Sequence, residues 1–232
     1  MFRVDDAVSE RFPELTVGVV VATGILNRDA GAKAASFLEE QIEHVRETWS
    51  NERLETDPRI AAWRDAYRAF GAKPKKHRSS VENLIRTILD GVGVASINPA
   101  VDLYNAVSLE HCIPIGGDDL DRVTGDIRLT IAAGDERFIP LNGVEAVHPK
   151  PGEVVYRDDT DVLCRRWNWR ECDKSKMTEI TKNLCLVVEG LPPFTADEVQ
   201  RISEELAGAI ETQCGGRAAV CVLDCGAPTV EL

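Results

Sequence analysis

Between Cys112 and Ile127 the spacing of apolar residues changes period. Up to that point the chain reads mainly as helix. Ala34, Phe37, Leu38, Ile42 and Val45 recur at three- and four-residue intervals between about Ala30 and Ser50, as one helix face requires. A second helix is predicted from about Asp57 to Phe70, with Pro58 suited to a first turn. A third opens at Ser79, whose spacing to Glu82 is that of a capping box. It ends near Gly91, and Asn98–Cys112 reads as a fourth. Beyond them the period is two. Ile127, Leu129 and Ile131 alternate with polar or small residues, and strands follow around Arg137–Leu141, Glu153–Arg157, Val162–Trp169 and Asn183–Glu189, with Asp158-Asp159 as a hairpin turn. Thr195 and Glu198 repeat the capping-box spacing ahead of a helix carrying Val199, Ile202, Leu206 and Ile210 on one face, and Ala218–Leu223 is a last strand. One valine-rich strand, within PELTVGVVVATGIL (13–26), precedes all the helices. Helices and strands mixed without a regular βαβ repeat define an α+β class, with a mixed or antiparallel sheet core and packed helices. Residues 1–232 are expected to form a single domain, and GAKPKKHRSS marks the one place, near 71–79, where it would subdivide.

Composition narrows the function classes. At 44% hydrophobic and 28% charged the chain is an ordinary globular sequence. Its longest apolar run, Val17–Ala22, is far short of the ~18–20 residues that span a bilayer. MFRVDDAVSERFPEL carries acids and a proline where a secretory signal would be basic and then apolar, so a cytoplasmic protein without a membrane partner is expected. Seven cysteines cannot all pair, and none stands in a Cys-x-x-Cys pair, which favours buried thiols over disulfides or zinc. A formal net charge of −12 argues against coating DNA by phosphate neutralisation. Two local cationic stretches remain, Lys73–Arg78 and the run beginning at Cys164. Phosphate loops, dinucleotide fingerprints, nucleophile elbows and zinc-protease motifs are all missing. With four histidines, His44, His77, His111 and His148, no metal centre is expected, and no cofactor.

Two segments carry chemistry. Asp118, Asp119 and Asp121 cluster behind two glycines; such carboxylates hold a metal or an ammonium group, or make a turn that caps the next segment. The second segment, CRRWNWRECDKSKMT (164–178), is cationic, aromatic and hydroxyl-rich. As a strand it would carry Leu163, Arg165, Trp167, Trp169 and Glu171 on one face and Cys164, Arg166, Asn168, Arg170 and Cys172 on the other. Indoles beside guanidiniums stack on bases or ligands. Alternatively, the tryptophans cap the core and the arginines pair with acids. Ser175, Lys176, Thr178 and Thr181 add the small polar groups of a recognition pocket.

Asn-Pro-x-Val-Asp-x-Tyr-Asn (98–105), Ile-Pro-Ile-Gly-Gly-x-Asp-Leu-Asp (113–121), Gly-Glu-Val-Val-Tyr (152–156) and Cys-Arg-Arg-Trp-Asn-Trp-Arg-Glu (164–171) resemble freestanding relatives of the editing domain of the phenylalanyl-tRNA synthetase β subunit. The resemblance runs over about Ala72–Ala209. It implies the fold of that domain and a stand-alone aminoacyl-tRNA deacylase acting in trans, with tRNA or aminoacyl-tRNA as partner. A non-catalytic module for an amino acid, a nucleotide or tRNA is the alternative. It further implies that Asn105 and Lys176 orient water or the ester carbonyl. Tyr104, Gly116, Asp119, Trp167, Asn168, Glu171 and Thr178 would form the substrate pocket, and Arg165, Arg166 and Arg170 would meet RNA. The chain departs from the synthetases at three points: Gly116 stands at the pocket histidine, Lys176 at a discriminating glutamate and Tyr104 at a threonine.

Overall fold

In the computed structural model, which describes residues 1–28 and 31–231, the chain opens with β1 (Phe2–Val4), α1 (Asp6–Arg11) and β2 (Thr16–Thr23). Helices α2 (Gly31–Thr48), α3 (Asn51–Thr56), α4 (Pro58–Ala69), α5 (Ser80–Leu89) and α6 (Pro99–His111) come next. Then come β3 (Ile115–Asp119), a 3-10 turn (Leu120–Arg122), β4 (Ile127–Ile131), β5 (Val154–Arg157), β6 (Val162–Arg165), β7 (Arg170–Glu171) and β8 (Asn183–Gly190). Helix α7 (Ala196–Cys214), β9 (Arg217–Leu223) and β10 (Thr229–Val230) complete the order.

The valine-rich strand β2 pairs antiparallel with β8 on one side and β9 on the other, within a sheet ordered β3-β8-β2-β9. Both faces of this sheet are covered. Val17, Val19, Cys185, Val187 and Leu223 enter a core shared with the second sheet. Val20, Ala22, Leu184, Leu186 and Val188 enter a core shared with α6 and α7. Successive strand side chains point to opposite faces, so a strand covered on both has no polar position left. That is why the segment from Val17 to Ala22 carries only valine, glycine and alanine. The second sheet is ordered β10-β1-β4-β5-β6-β7 and is parallel only between β1 and β4. A third core lies among the helices, where the predicted stripe Leu38, Ile42 and Val45 meets Leu54, Ile60, Val81, Ile85 and Leu109. Each such aliphatic side chain contributes roughly 1.5–3 kcal/mol by leaving water.

Local chemistry decides the helix ends. Ser50 caps α3, accepting from the Arg53 N–H at 3.2 Å, so the helix expected to reach Ser50 stops at Thr48; Ala30 lies outside the described residues. Asp57 caps α4, accepting from Arg59 N–H at 3.0 Å with Pro58 behind it. The Thr195–Glu198 capping box forms in full. The one expected at Ser79 does not: Ser79 makes no capping bond, and buried Glu82 instead accepts from Arg64 at 2.8 Å. A buried charge-assisted bond outweighs a neutral helix-end bond.

Three strand expectations change. Gly116–Asp119, read as a turn, extends along β8 as part of β3. Arg137–Leu141 forms only isolated bridges. The stretch expected to run straight from Val162 to Trp169 breaks into the hairpin β6–β7, because Arg166 and Trp167 adopt left-handed backbone angles, φ 47° and 68°. The two-faced division of 163–171 therefore does not hold.

Candidate functional site

Glu171 ends β7 between two spaces. Outside it lies an open cleft of about 320 Å³, whose walls include Asn98, Tyr104, Asn142, Glu171, Lys176 and Thr178. Inside it, between the two sheets, lies a cavity of about 30 Å³, room for a water molecule. Gly116, Asp118, Trp167, Asn168, Glu171 and Glu189 are among its lining. Gly116 faces the carboxylate directly: a Cβ there would lie 3.1 Å from Glu171 Oε1. The missing side chain leaves room for the acid.

Three carboxyls of the inner cavity are held well above their ordinary range. Burial pushes Glu171 up to about 8, the Asp118 carboxylate adds to this, and the Gly117 backbone opposes it. Burial raises Glu189 to about 7, against hydrogen bonds from Tyr156 Oη at 2.6 Å and Asn168 Nδ2 at 2.7 Å. Burial also raises Asp118, to about 6, opposed by the Ser175 hydroxyl at 2.5 Å. At neutral pH, Glu171 is thus mainly a neutral acid, able to donate a hydrogen bond and to ionise beside a cation.

The cleft walls are fastened by residues the sequence did not single out. Buried Asn27 donates to Asn98 Oδ1 at 3.0 Å and to the Thr178 carbonyl at 2.9 Å, and accepts from Ala100 N–H at 2.9 Å. Asn98 caps α6, accepting from the Val101 N–H, and donates to the Met177 carbonyl. The start of α6, which carries Tyr104, is therefore tied to the 177–178 loop. Asp173 accepts from the Lys176 ammonium at 2.8 Å and from Asn142 N–H at 2.9 Å, joining the opposite wall. The ammonium beside it holds Asp173 below the usual carboxylate range.

The structure brings Tyr104, Glu171, Lys176 and Thr178 to the cleft, and Gly116, Trp167, Asn168 and again Glu171 to the inner cavity. Asn105, next to Tyr104 on α6, is buried and lines neither. Asp119 is committed to the Asp121 N–H at 3.0 Å and the Thr181 hydroxyl at 2.6 Å. Trp167 is wholly buried, edge-on to Trp63 at 5.0 Å and Phe12 at 4.7 Å. Arg165 and Arg166 are buried on Glu153, with shortest contacts of 2.8 and 3.0 Å. Arg170 alone of the three is exposed. Sequence reasoning missed Asp118 as a cavity group, and Glu189. The latter left a signal, a lone carboxylate in the apolar strand NLCLVVEG.

A shared metal site is not formed by Asp118, Asp119 and Asp121. Asp118 accepts from Ser175, Asp119 from Thr181 and Asp121 from Asn183. Among the described residues, Glu110, His111 and Glu205 bring ligand atoms within 4.8 Å of one another. That group sits apart from the cleft, and His111 Nε2 already contacts both Glu205 oxygens.

An acid of raised pKa, an ammonium and hydroxyls around one cleft suit the handling of an amino acid or its ester. The chain belongs to the B3/4 domain family, whose model matches residues 62–211. It is 28% identical over 165 residues to the phenylalanine–tRNA ligase beta subunit of Shewanella oneidensis, covering 67% of this chain and 20% of that subunit. With the corresponding subunit of Fusobacterium nucleatum it shares 29% over 122 residues, 53% of this chain and 15% of the other. The chain thus spans a fifth or less of these relatives. An N-terminal fragment of the phenylalanyl-tRNA synthetase beta subunit from Pyrococcus horikoshii superposes with a TM-score of 0.48 at 15% identity, over 94% of this chain and 50% of that one.

Proposed function

We propose that this protein hydrolyses the ester bond of mischarged tRNA in trans, at the cleft beside Glu171. The observation that carries this reading is the convergence of Tyr104, Glu171, Lys176 and Thr178 on one cleft in a chain of the B3/4 family. Water adds to the ester carbonyl carbon, and the bond to the ribose oxygen breaks. The ribose takes a proton, and the amino acid leaves as its carboxylate. Lys176 stabilises the negative charge that develops on the carbonyl oxygen. The substrate α-ammonium, arriving beside Glu171, lowers the pKa of that carboxyl and ionises it, so binding releases a proton. Tyr104 and Thr178 shape the space for the amino-acid side chain.

A panel of correctly and incorrectly charged tRNAs, at low salt and without added metal, tests the reading. Selective release of one amino acid is expected. Lys176→Ala should lower turnover by about 10²–10³ while changing tRNA affinity little; unchanged turnover would remove Lys176 from the chemistry. The second reading, a binding module without hydrolysis, is favoured by Gly116 standing where the synthetases have a histidine. It predicts thermal stabilisation by a ligand with no product formed.

A further inference from the structure

A second cavity, of about 310 Å³, opens between the turn after α4 and the loop before β5. Its polar lining is Lys73, Lys76, His77, Lys150, Glu153 and Arg166. We propose that it binds a phosphate group.

The protein leaves one buried charge unbalanced. Glu153 is buried, and both Arg165 and Arg166 are buried on it. Arg165 takes both carboxylate oxygens, through Nε at 3.1 Å and Nη2 at 2.8 and 3.0 Å. Arg166 shares one of those oxygens, with Nη2 at 3.0 Å. One carboxylate thus serves two buried guanidiniums, and one positive charge is left over. The Nη1 of Arg166 has no hydrogen-bond partner, and neither has Nδ1 of His77. A buried charged donor without an acceptor is costly, and native proteins rarely leave one empty-handed.

Trp169 fixes these two groups without satisfying them. The Arg166 guanidinium lies 4.5 Å over its ring, and His77 meets the same ring edge-on at 4.6 Å. A π face offsets part of the charge, but it does not supply an acceptor to Nη1. Around the mouth stand Lys73, Lys76 and Lys150, all exposed, and among the described residues none of them is in an ion pair. In a chain of net charge −12, where most other arginines have found an acid, three ammoniums without an ion pair among the described residues, beside a guanidinium that shares its one carboxylate, form a marked local excess of positive charge. Planar N–H donors from arginine and point charges from lysine together suit the several oxygens and the charge of a phosphate, more than a single carboxylate.

This inference does not rest on chemistry in the cleft, and the activity of Lys176→Ala has no bearing on it. The test is thermal unfolding of the whole chain with inorganic phosphate, adenosine monophosphate or a single-stranded RNA oligonucleotide, against chloride at matched ionic strength. Phosphate is expected to raise Tm by several degrees well above its Kd. The exposed triple variant Lys73→Gln, Lys76→Gln, Lys150→Gln leaves the buried cluster intact and should weaken the effect at least tenfold in phosphate concentration. Arg166→Gln should lose it. A lysine-dependent shift with RNA assigns the phosphate to a nucleic-acid backbone. A shift with the mononucleotide but not with RNA assigns it to a free phosphorylated molecule. An unchanged shift in the lysine variant, or no shift with any of the three probes, overturns the site.

Discussion

Raising the pH from 6 to 8 should loosen this fold, and Glu171 should account for about half of the loss. Glu171, Glu189 and Asp118 titrate near 8, 7 and 6 in the folded chain, against 4.5, 4.5 and 3.8 for unhindered groups. The folded state therefore holds protons that the unfolded chain has already released. Groups of raised pKa stabilise most below their unfolded values, and that stabilisation drains away as pH climbs through the folded ones. Integrated from pH 6 to 8, the three carboxyls together amount to at most about 4 kcal/mol, about 2 of them from Glu171. His77 works the other way, since burial and the neighbouring Arg166 lower its pKa, and it trims the total. For a chain of this size the fall in Tm would be on the order of 5–15 °C. The window stops short of the buried thiols, which titrate higher. Thermal unfolding followed by circular dichroism at pH 6, 7 and 8 gives the profile. Glu171→Gln keeps the shape but cannot ionise, so its profile should lose about half the slope and cross above the wild type at pH 8. A wild-type Tm that is flat over this range, or equal slopes in the two proteins, would show that Glu171 is ionised in the fold and refute the reasoning.

The buried ion pairs and the helix caps carry further expectations. Glu153→Gln strips two buried guanidiniums of their shared carboxylate and should cost about 3–5 kcal/mol, read as a drop in denaturant midpoint; added phosphate should recover part of it if the proposed site is real. Thr195→Ala should cost about 1 kcal/mol, because the capping box is made. Ser79→Ala should leave stability unchanged or raise it slightly, because its buried hydroxyl caps nothing and has no partner. Chemical denaturation of the two alanine variants side by side separates a box formed in space from one present only in spelling.

Much of the architecture could be read from periodicity. The stripes of α2 and α7, the alternation of β4 and the composition of β2 each arise from one apolar environment repeating at a fixed interval. Local signals failed where a distant partner outcompeted them. Ser79 and Glu82 have the spacing of a cap, but Arg64 claims the glutamate. Gly116–Asp119 has the composition of a turn, but β8 offers it a ladder. Arg166 and Trp167 carry no sequence mark of a left-handed turn, which glycine or asparagine would have supplied. At the candidate site, Glu171, Tyr104, Lys176 and Thr178 were legible through the family motifs. The raised pKa values of the inner carboxyls were not, since they come from burial, and burial belongs to the assembled sheets. The same holds for Arg165 and Arg166, whose pairing with Glu153 belongs to the folded chain and leaves no mark in the local sequence.

The central strand has a history as well as a place. β2 occupies residues 16–23, yet its two neighbours are supplied by residues 183–190 and 217–223. At ~5–20 residues per second on the ribosome, its backbone groups would wait on the order of ten seconds or more for either partner. Throughout that interval the most apolar segment of the chain is a strand with two open edges, the form most prone to pair with the wrong molecule. During synthesis, then, the hazard lies in β2, and the later-made strands β8 and β9 remove it.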